Sequence, residues 1–508
     1  MKKWKLWKNI FDDKLPSSAE PSSEATSGFA DDENKQENSE VTKSDILCSS
    51  TSRYLIQDLI GEGSFGKVAM GVNLITSQDV ALKILKTEDT AEREIKMLYV
   101  VSILDPVKKN IVQFYEMFEH KGQTCLVFEM LDRSLFQLFK EREGTPLSLN
   151  EIRPITHQLL TAFDALKGIG VVHSDLKPDN IMLVNHPSEP FRVKVIDFGV
   201  SFKTSENTRG MTIQPLGYRA PEVILGLPIT ETIDMWGLGC VLGFLYRGRH
   251  LFADCEYQSM KGIVDILGQP TDHLLSAGYY TRKFFTENKH WDNPRWWMKT
   301  PVEYQMDTGI EPKRWQSPFR RLEDLIIHYP EMEETKLEDQ RAFVSLLKCL
   351  LHTHPKERIT PEKALTHPFV EMDHLEHEID TSLYVEDSIE KMMVLPVNHS
   401  VNSEAEEQSK GGEASSKLPS DNNVGSDTPR SCVSLISVKI ILDSTDGAEA
   451  AVAIDATVSQ GAASQAEETD GVSADQGPPA KVFTDCLHPA PLDFGRALRA
   501  LFGMKKRE

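Results

Sequence analysis

The chain concentrates its chemistry in one short run, His173-Ser174-Asp175-Leu176-Lys177-Pro178-Asp179-Asn180. An acid is followed by a lysine two residues later and an asparagine five residues later, in the order H-x-D-L-x-x-x-N. These groups suit transfer of a phosphoryl group to an alcohol. Asp175 can orient the hydroxyl and take its proton, Lys177 can neutralise charge growing on the phosphate, and Asn180 can ligate magnesium through its amide oxygen. Seventeen residues beyond Asn180 stands Asp197, in Ile196-Asp197-Phe198-Gly199. Its carboxylate can hold the magnesium that bridges the phosphates. Upstream, Lys83 closes the apolar run Val80-Ala81-Leu82. An ammonium buried in a strand is costly unless paired, and phosphate oxygens with one carboxylate would pair it. Glu92 and Glu94 both follow; Glu94 is the chosen partner, because Ile95 and Leu98 give its helix an inward face. Gly61-Glu62-Gly63-Ser64-Phe65-Gly66-Lys67-Val68 is a G-x-G-x-x-G loop whose glycines let the backbone approach phosphate.

Two sets of elements must present these groups across a cleft. Tyr54, Ile56 and Ile60 share a parity, as a half-buried strand requires. Strands are expected over Lys67 to Val72, Asp79 to Leu85, Val112 to Phe118 and Thr124 to Glu129, with a helix over Ala91 to Val101. A strand rather than a helix follows the glycine loop, which argues against a Rossmann dinucleotide site. After Gly144 the pattern turns helical. Ser148 and Glu151 form a capping box ahead of Ile152, Ile155, Leu159, Phe163 and Leu166 at helical spacing. A strand-like Val193 to Ile196 delivers Asp197, and Ala220-Pro221-Glu222 ends the intervening loop. A β-rich half followed by an α-rich half implies an α+β chain of two lobes.

With these motifs in this order, the stretch from Tyr54 to about His374 resembles a eukaryotic protein kinase. It is similar to the group containing cyclin-dependent, MAP and dual-specificity tyrosine-regulated kinases, and within it to the homeodomain-interacting protein kinases. The segments that carry the likeness are Cys125 to Leu131, Arg192 to Gly199, Tyr218 to Pro228, Ile233 to Val241, Leu274 to Gly278 and Glu357 to Val370. The resemblance implies a bilobal kinase domain over residues 54–370, with a small antiparallel N-lobe sheet, one main helix and a larger helical C-lobe. A post-domain extension would span 371–397. It implies an ATP- and Mg2+-dependent protein serine/threonine kinase, with Asp175, Lys177, Lys83 and Glu94 catalytic and Asn180 and Asp197 on the metal. ATP would meet Ile60, Gly61, Glu62, Gly63, Ser64, Phe65, Gly66, Val68, Ala81, Lys83, Phe128, Glu129, Leu131 and Leu183. Phe128 would be the gatekeeper, Glu129 to Leu131 the adenine-binding hinge, and Val68, Ala81 and Leu183 the walls around the ring. Asp234 would brace the catalytic loop, and Glu222 would pair with Arg358. Protein substrates, a monomer and a nuclear location, with the cytoplasm as a second one, are implied as well.

Some positions depart from the family pattern. Ser174 replaces the arginine that usually binds an activation-loop phosphate. Thr212 stands where close relatives carry an autophosphorylated tyrosine, Leu216 replaces an arginine and Gly217 an aromatic. Charge-assisted anchoring of the loop is expected to be lost, and proline-directed specificity is in doubt. Thr204, Ser205, Thr208 and Thr212 are candidate phosphosites. The alternative reading is a silent pseudokinase scaffold, but every group needed for metal, phosphate and base is present.

The bulk properties set outer bounds. A formal charge of -21 argues against general nucleic-acid binding. Seven scattered cysteines without a CxxC argue against a zinc site or a disulfide framework. No apolar run is long enough for a membrane span, and no h-region follows the N-terminal lysines. Residues 1–52 read as a disordered leader whose start places Trp4, Trp7 and Phe11 on one helical face beside lysines, a candidate for membrane-surface contact. Residues 398–508 read as a disordered tail, with no aromatic from Asn398 to Val482. Within it Val438, Ile440 and Ile441, followed by acids, resemble a SUMO-interacting motif. Thr428-Pro429 would suit a proline-directed kinase, and Phe494 to Phe502 could form a short amphipathic helix.

Overall fold

The computed structural model describes residues 41–394 apart from 64–65, 87, 289–294, 316–318 and 328–329. Trp4, Trp7, Val438, Ile440, Ile441, Thr428-Pro429 and the segment Phe494 to Phe502 lie outside the described residues.

The first half is a six-stranded antiparallel sheet in the order β1-β2-β3-β4-β6-β5. Its strands are β1 (Ile46–Cys48), β2 (Arg53–Glu62), β3 (Gly66–Asn73), β4 (Asp79–Leu85), β5 (Phe114–His120) and β6 (Gln123–Glu129). Helix α1 (Glu88–Val101) follows β4. Alternation builds one face of the sheet: Tyr54, Ile56, Ala69, Val80, Leu82 and Val127 close a small core of their own.

Two sequence expectations are corrected in this half. Ile60 does not share a face with Tyr54 and Ile56. Register shifts between Ile56 and Asp58 and between Leu59 and Gly61 break the alternation, and Ile60 joins the larger core beneath the sheet. The leader is not irregular up to residue 52. Ile46–Cys48 pairs with Arg53–Leu55, and Val41 and Leu47 are buried. Ser49, Thr51 and Tyr54 all donate hydroxyl hydrogen bonds to the Glu116 carboxylate on β5, at 2.9, 2.7 and 2.5 Å. A strand of three residues carries too little pattern to be seen, and its partners are long-range.

The second half is mainly helical. It begins with α2 (Leu135–Glu141) and α3 (Leu149–Gly168), the latter opened by the Ser148–Glu151 capping box. Two small ladders follow, β7 (Val171–Val172) with β10 (Phe202–Lys203) and β8 (Ile181–Leu183) with β9 (Val193–Val195). Next come α4 (Pro221–Ile224), α5 (Thr232–Arg247), α6 (Glu256–Leu267), α7 (Asp272–Ala277) and α8 (Thr281–Phe284). A ribbon of β11 (Phe285–Glu287) and β12 (Trp296–Met298) leads to α9 (Pro301–Thr308). The last elements are α10 (Glu334–Leu350), α11 (Pro361–Leu365), α12 (Pro368–Glu371) and α13 (Leu383–Met392). Helix α5 is apolar nearly all round and its residues from Ile233 to Leu245 are buried, as the central helix of a core must be. Among the described residues no helix is long and apolar enough to cross a membrane.

The stretch after residue 370 is built into the fold. Arg153 of α3 and Asp339 of α10 are both fully buried, and Arg153 Nη2 donates to both Asp339 oxygens, at 2.8 and 2.7 Å. The same carboxylate accepts from Tyr384 (2.6 Å) and His374 (2.8 Å), and Arg153 Nε donates to Ser388 (2.9 Å). Burial works against the Asp339 charge, yet Arg153 and these donors hold its carboxyl below the usual range.

Candidate active site

Lys83 lies on β4, opposite Val68 on one side and Leu126 on the other. Its ammonium donates to both Glu94 oxygens, at 2.6 and 2.8 Å, and to Asp197 Oδ1 at 3.1 Å. The choice between two glutamates is decided: Glu94 is buried on α1, whereas Glu92 is exposed and pairs with Lys96. Burial raises the Glu94 carboxyl, against the pull of Lys83. Burial also disfavours the Lys83 charge, but Asp197 and Glu94 outweigh it and raise its pKa, so it stays an ammonium.

The catalytic loop is held from below. Asp234, in the first turn of α5, accepts the backbone N–H groups of His173 (2.8 Å) and Ser174 (2.9 Å). His173 donates through Nε2 to the Ile196 carbonyl at 2.9 Å and packs its ring edge-on against Phe198, which is fully buried. Ser174 and Asp197 both take positive φ near 64°, a strained conformation for a residue with a side chain. The surrounding bonds over-determine both. Ser174 Oγ donates to the Val200 carbonyl (2.8 Å), and the Gly199 N–H donates to Asp197 Oδ1 (3.3 Å). Burial opposes the charge on Asp197, but Lys83 beside it keeps the carboxyl below its ordinary range.

Asp175 Oδ2 accepts from Lys177 at 3.0 Å and from the Asn180 amide nitrogen at 2.8 Å. That nitrogen also donates to the Asp175 carbonyl at 2.9 Å. The amide oxygen of Asn180 is therefore the atom left for a cation. The Ile196 N–H donates to the Asn180 carbonyl at 3.0 Å, which ties the asparagine to the segment that leads from β9 to Asp197. An amide oxygen and one carboxylate suit a magnesium ion that keeps phosphate and water as its other ligands. Among the described residues no cluster of three or more His, Cys, Asp or Glu could hold a metal unaided.

The remaining expected contacts surround the same cleft. Ile60, Ala81, Leu131 and Leu183 are buried, and Val68 and Phe128 are packed partly buried against that core. Phe128 is backed by Phe114, with ring centroids 5.5 Å apart. At the glycine loop the Gly63 N–H donates to the Gly66 carbonyl at 2.8 Å, and a Cβ at Gly66 would meet Ile84 O at 2.0 Å, so only glycine fits. Gly61 and Glu62 pair with Val68 and Lys67, and Lys86 bonds Glu62 at 2.9 Å. Ser64 and Phe65 lie outside the described residues. The Leu131 N–H has no partner among the described residues.

The loop between Asp197 and Pro221 is anchored in a way the sequence did not suggest. Neither Ser174 nor Leu216 brings a charge to the loop; Arg219 holds it by other contacts. Its guanidinium grips the carbonyls of Ile213 (2.9 Å) and Gln214 (2.9 Å) and the Glu256 carboxylate (3.0 Å). Gln214 is buried and bridges the Ile233 carbonyl (3.0 Å) and the Ala220 N–H (2.9 Å). Thr208 is removed from the candidate phosphosites. It is buried, and its hydroxyl donates to the Ile229 carbonyl (3.1 Å) while accepting the Ile229 N–H (2.9 Å). Thr212 is exposed. Glu222 and Arg358 form a buried bidentate pair at 2.6 and 2.9 Å. Sequence reasoning passed over Lys194, a buried lysine on β9 paired with Glu129. The signal was the one used for Lys83: a lysine inside an apolar strand needs a counter-charge.

Residues 54–370 match the family model described as a protein kinase domain. The chain belongs to the protein kinase family. Within it, the sequence is similar to the homeodomain-interacting protein kinases. It is 41% identical to homeodomain-interacting protein kinase 1 of Mus musculus over 348 residues, 66% of this chain and 29% of that protein. It is 39% identical to homeodomain-interacting protein kinase 2 of Mesocricetus auratus over 354 residues, 67% of this chain and 30% of that protein. With homeodomain-interacting protein kinase 4 of Homo sapiens it shares 37% over 362 residues, 67% of this chain and 59% of that protein. The match thus spans less than a third of the first two relatives.

Proposed function

We propose that this chain is an active kinase that transfers the γ-phosphate of Mg-ATP to serine and threonine hydroxyls of proteins. One observation carries the reading: Lys83 bonds Glu94 and Asp197 at once, so β4, α1 and the metal-binding strand are already in register for a nucleotide. A silent scaffold has no need of that arrangement. Asp175 orients the incoming alcohol and takes its proton, with Lys177 beside it to offset charge on the transferred group. Asn180 and Asp197 would hold magnesium, whose charge offsets that of the phosphates. Lys83 would fix the α- and β-phosphates, the glycine loop would cover them, and the backbone of Glu129 to Leu131 would read adenine.

The relatives' names connect them with homeodomain proteins, and by that likeness nuclear protein substrates are the class to test first. The decisive assay is Mg-ATP-dependent labelling of a generic protein, with phosphoamino-acid analysis of the product. Asp175→Asn is expected to lower turnover at least about 100-fold, the scale of a lost general base. Equal labelling by both forms, or by neither, overturns the proposal.

A further inference from the structure

The pair of buried Lys194 and half-buried Glu129 lies at the join between the two halves of the cleft. Lys194 is the middle residue of β9, 4% exposed, and opposes Met182 of β8. Its ammonium reaches Glu129 Oε1 at 2.5 Å, and the same oxygen accepts the Gln113 N–H at 2.6 Å. Glu129 is the last residue of β6, and its own N–H donates to the Gln113 carbonyl at 3.0 Å. Three residues beyond Lys194 stands Asp197, which bonds Lys83. Between them, Val195 is clamped by the Asn110 carbonyl (2.9 Å) and the Val112 N–H (3.0 Å). The far side of the same hinge is tied separately to β8. The Asp132 N–H donates to the Leu183 carbonyl (2.8 Å), and the Leu183 N–H donates to the Arg133 carbonyl (2.7 Å). Met130 and Leu131 are thus suspended between two anchors. The second anchor joins Asp132 and Arg133 to Leu183, whereas in the first the Lys194 ion pair adds to the backbone bond between Glu129 and Gln113.

We infer that Lys194 is a positioning residue for nucleotide: by gripping Glu129 it ties the strand carrying Asp197 to the hinge that faces adenine. The inference rests on the ATP reading given above. A half-buried carboxylate that loses its ammonium must turn to another partner or towards water. Either change moves Glu129 and the hinge backbone, while Lys83, Asp175 and Asn180 keep their own bonds. The effect therefore falls on nucleotide affinity rather than on the chemical step.

The test is equilibrium titration with a fluorescent Mg-ADP analogue, together with KM for ATP and kcat, on the full chain. Lys194→Met keeps the length and apolar stem of the side chain. It is expected to raise Kd and KM about tenfold while kcat at saturating ATP stays within about threefold. Adding Glu129→Gln leaves an oxygen for the Gln113 N–H and no unpaired charge, and is expected to return most of the lost affinity. Lys261→Met, on an exposed pair with Asp265, is the control and should change neither constant. A Lys194→Met protein with unchanged Kd overturns the inference, as does one whose kcat falls as far as its affinity. If the double variant stays as weak as the single one, the ion pair is not the cause. If the unaltered chain binds no Mg-ADP analogue, the nucleotide reading itself fails and this inference fails with it.

Discussion

Replacing Asp234 by asparagine probes how much the catalytic loop owes to one buried carboxylate. Asp234 accepts two backbone N–H groups, from His173 at 2.8 Å and Ser174 at 2.9 Å, one on each oxygen. Asparagine has nearly the same shape but only one oxygen. Its NH2 group must then face one of the two N–H donors, which is left buried without an acceptor. An orphaned buried donor costs about 1–3 kcal/mol. The surviving bond loses its charge assistance and roughly half its strength, on the order of another 1 kcal/mol. The total, about 2–4 kcal/mol, is a large part of a typical domain stability of about 5–15 kcal/mol but leaves the chain folded. The chemical consequence is sharper. Ser174 holds a positive φ of 64° against strain, and Asp175 follows it directly. Relaxation there shifts the Asp175 carboxylate, and a displacement of about 1 Å lowers turnover by roughly 100-fold. Urea unfolding and kcat under saturating Mg-ATP read the two effects. A variant within about 0.5 kcal/mol of the parent with unaltered kcat would falsify the reasoning, because the carboxylate would then be dispensable to the loop it contacts.

Three further outcomes are expected. Burial lowers the pKa of His157 to about 4 from an ordinary 6.5, and its Nδ1 has no partner among the described residues. The unfolded chain therefore binds the proton first, and stability should fall as pH drops from 6.5 towards 4. His157→Gln should shrink the stability difference between pH 7 and pH 4.5 by about 2 kcal/mol in denaturant titrations. Arg153→Met leaves the fully buried Asp339 without its main counter-charge and should lower unfolding free energy by about 3–5 kcal/mol, whereas Arg153→Met with Asp339→Leu should recover part of it; a double variant no better than the single one argues against the pair. Thr208→Val removes two hydrogen bonds from a buried site and should cost about 1–3 kcal/mol, while Thr212→Val on the exposed loop should change stability by less than about 0.5 kcal/mol; equal thermal shifts for the two would contradict the assignment of Thr208 as a structural hydroxyl.

What the sequence made legible follows from how local each signal is. The preference for Glu94 over Glu92 rested on the spacing of Ile95 and Leu98, and the helix does turn Glu94 inward. The Ser148–Glu151 box announced α3, because both partners of a capping box lie within four residues. The strand around Lys83 was readable as a short apolar run, Val80-Ala81-Leu82. Ile60 was misread because two bulges insert residues that parity counting cannot see. The three-residue β1 exists through its pairing with β2 and the hydroxyls gathered on Glu116, which are contacts across the fold. Arg219 was read only as part of a family segment, since its acceptors Ile213, Gln214 and Glu256 come together only when the loop folds back. Lys194 was readable in principle, yet its partner lies 65 residues away.

The contacts of Arg153 have a consequence for where this domain can be cut. Helix α13 and the turn before it supply Tyr384, Ser388 and His374 to a guanidinium and a carboxylate that see no solvent. They also supply Met372, Leu375, Val385, Ile389 and Met392, a hydrophobic cluster drawn wholly from beyond residue 370. A truncation at that residue would strip the apolar cover from α3 and admit water to an ion pair that evolved dry. The folded unit therefore includes α13, past the family span, and at the other end it includes Val41.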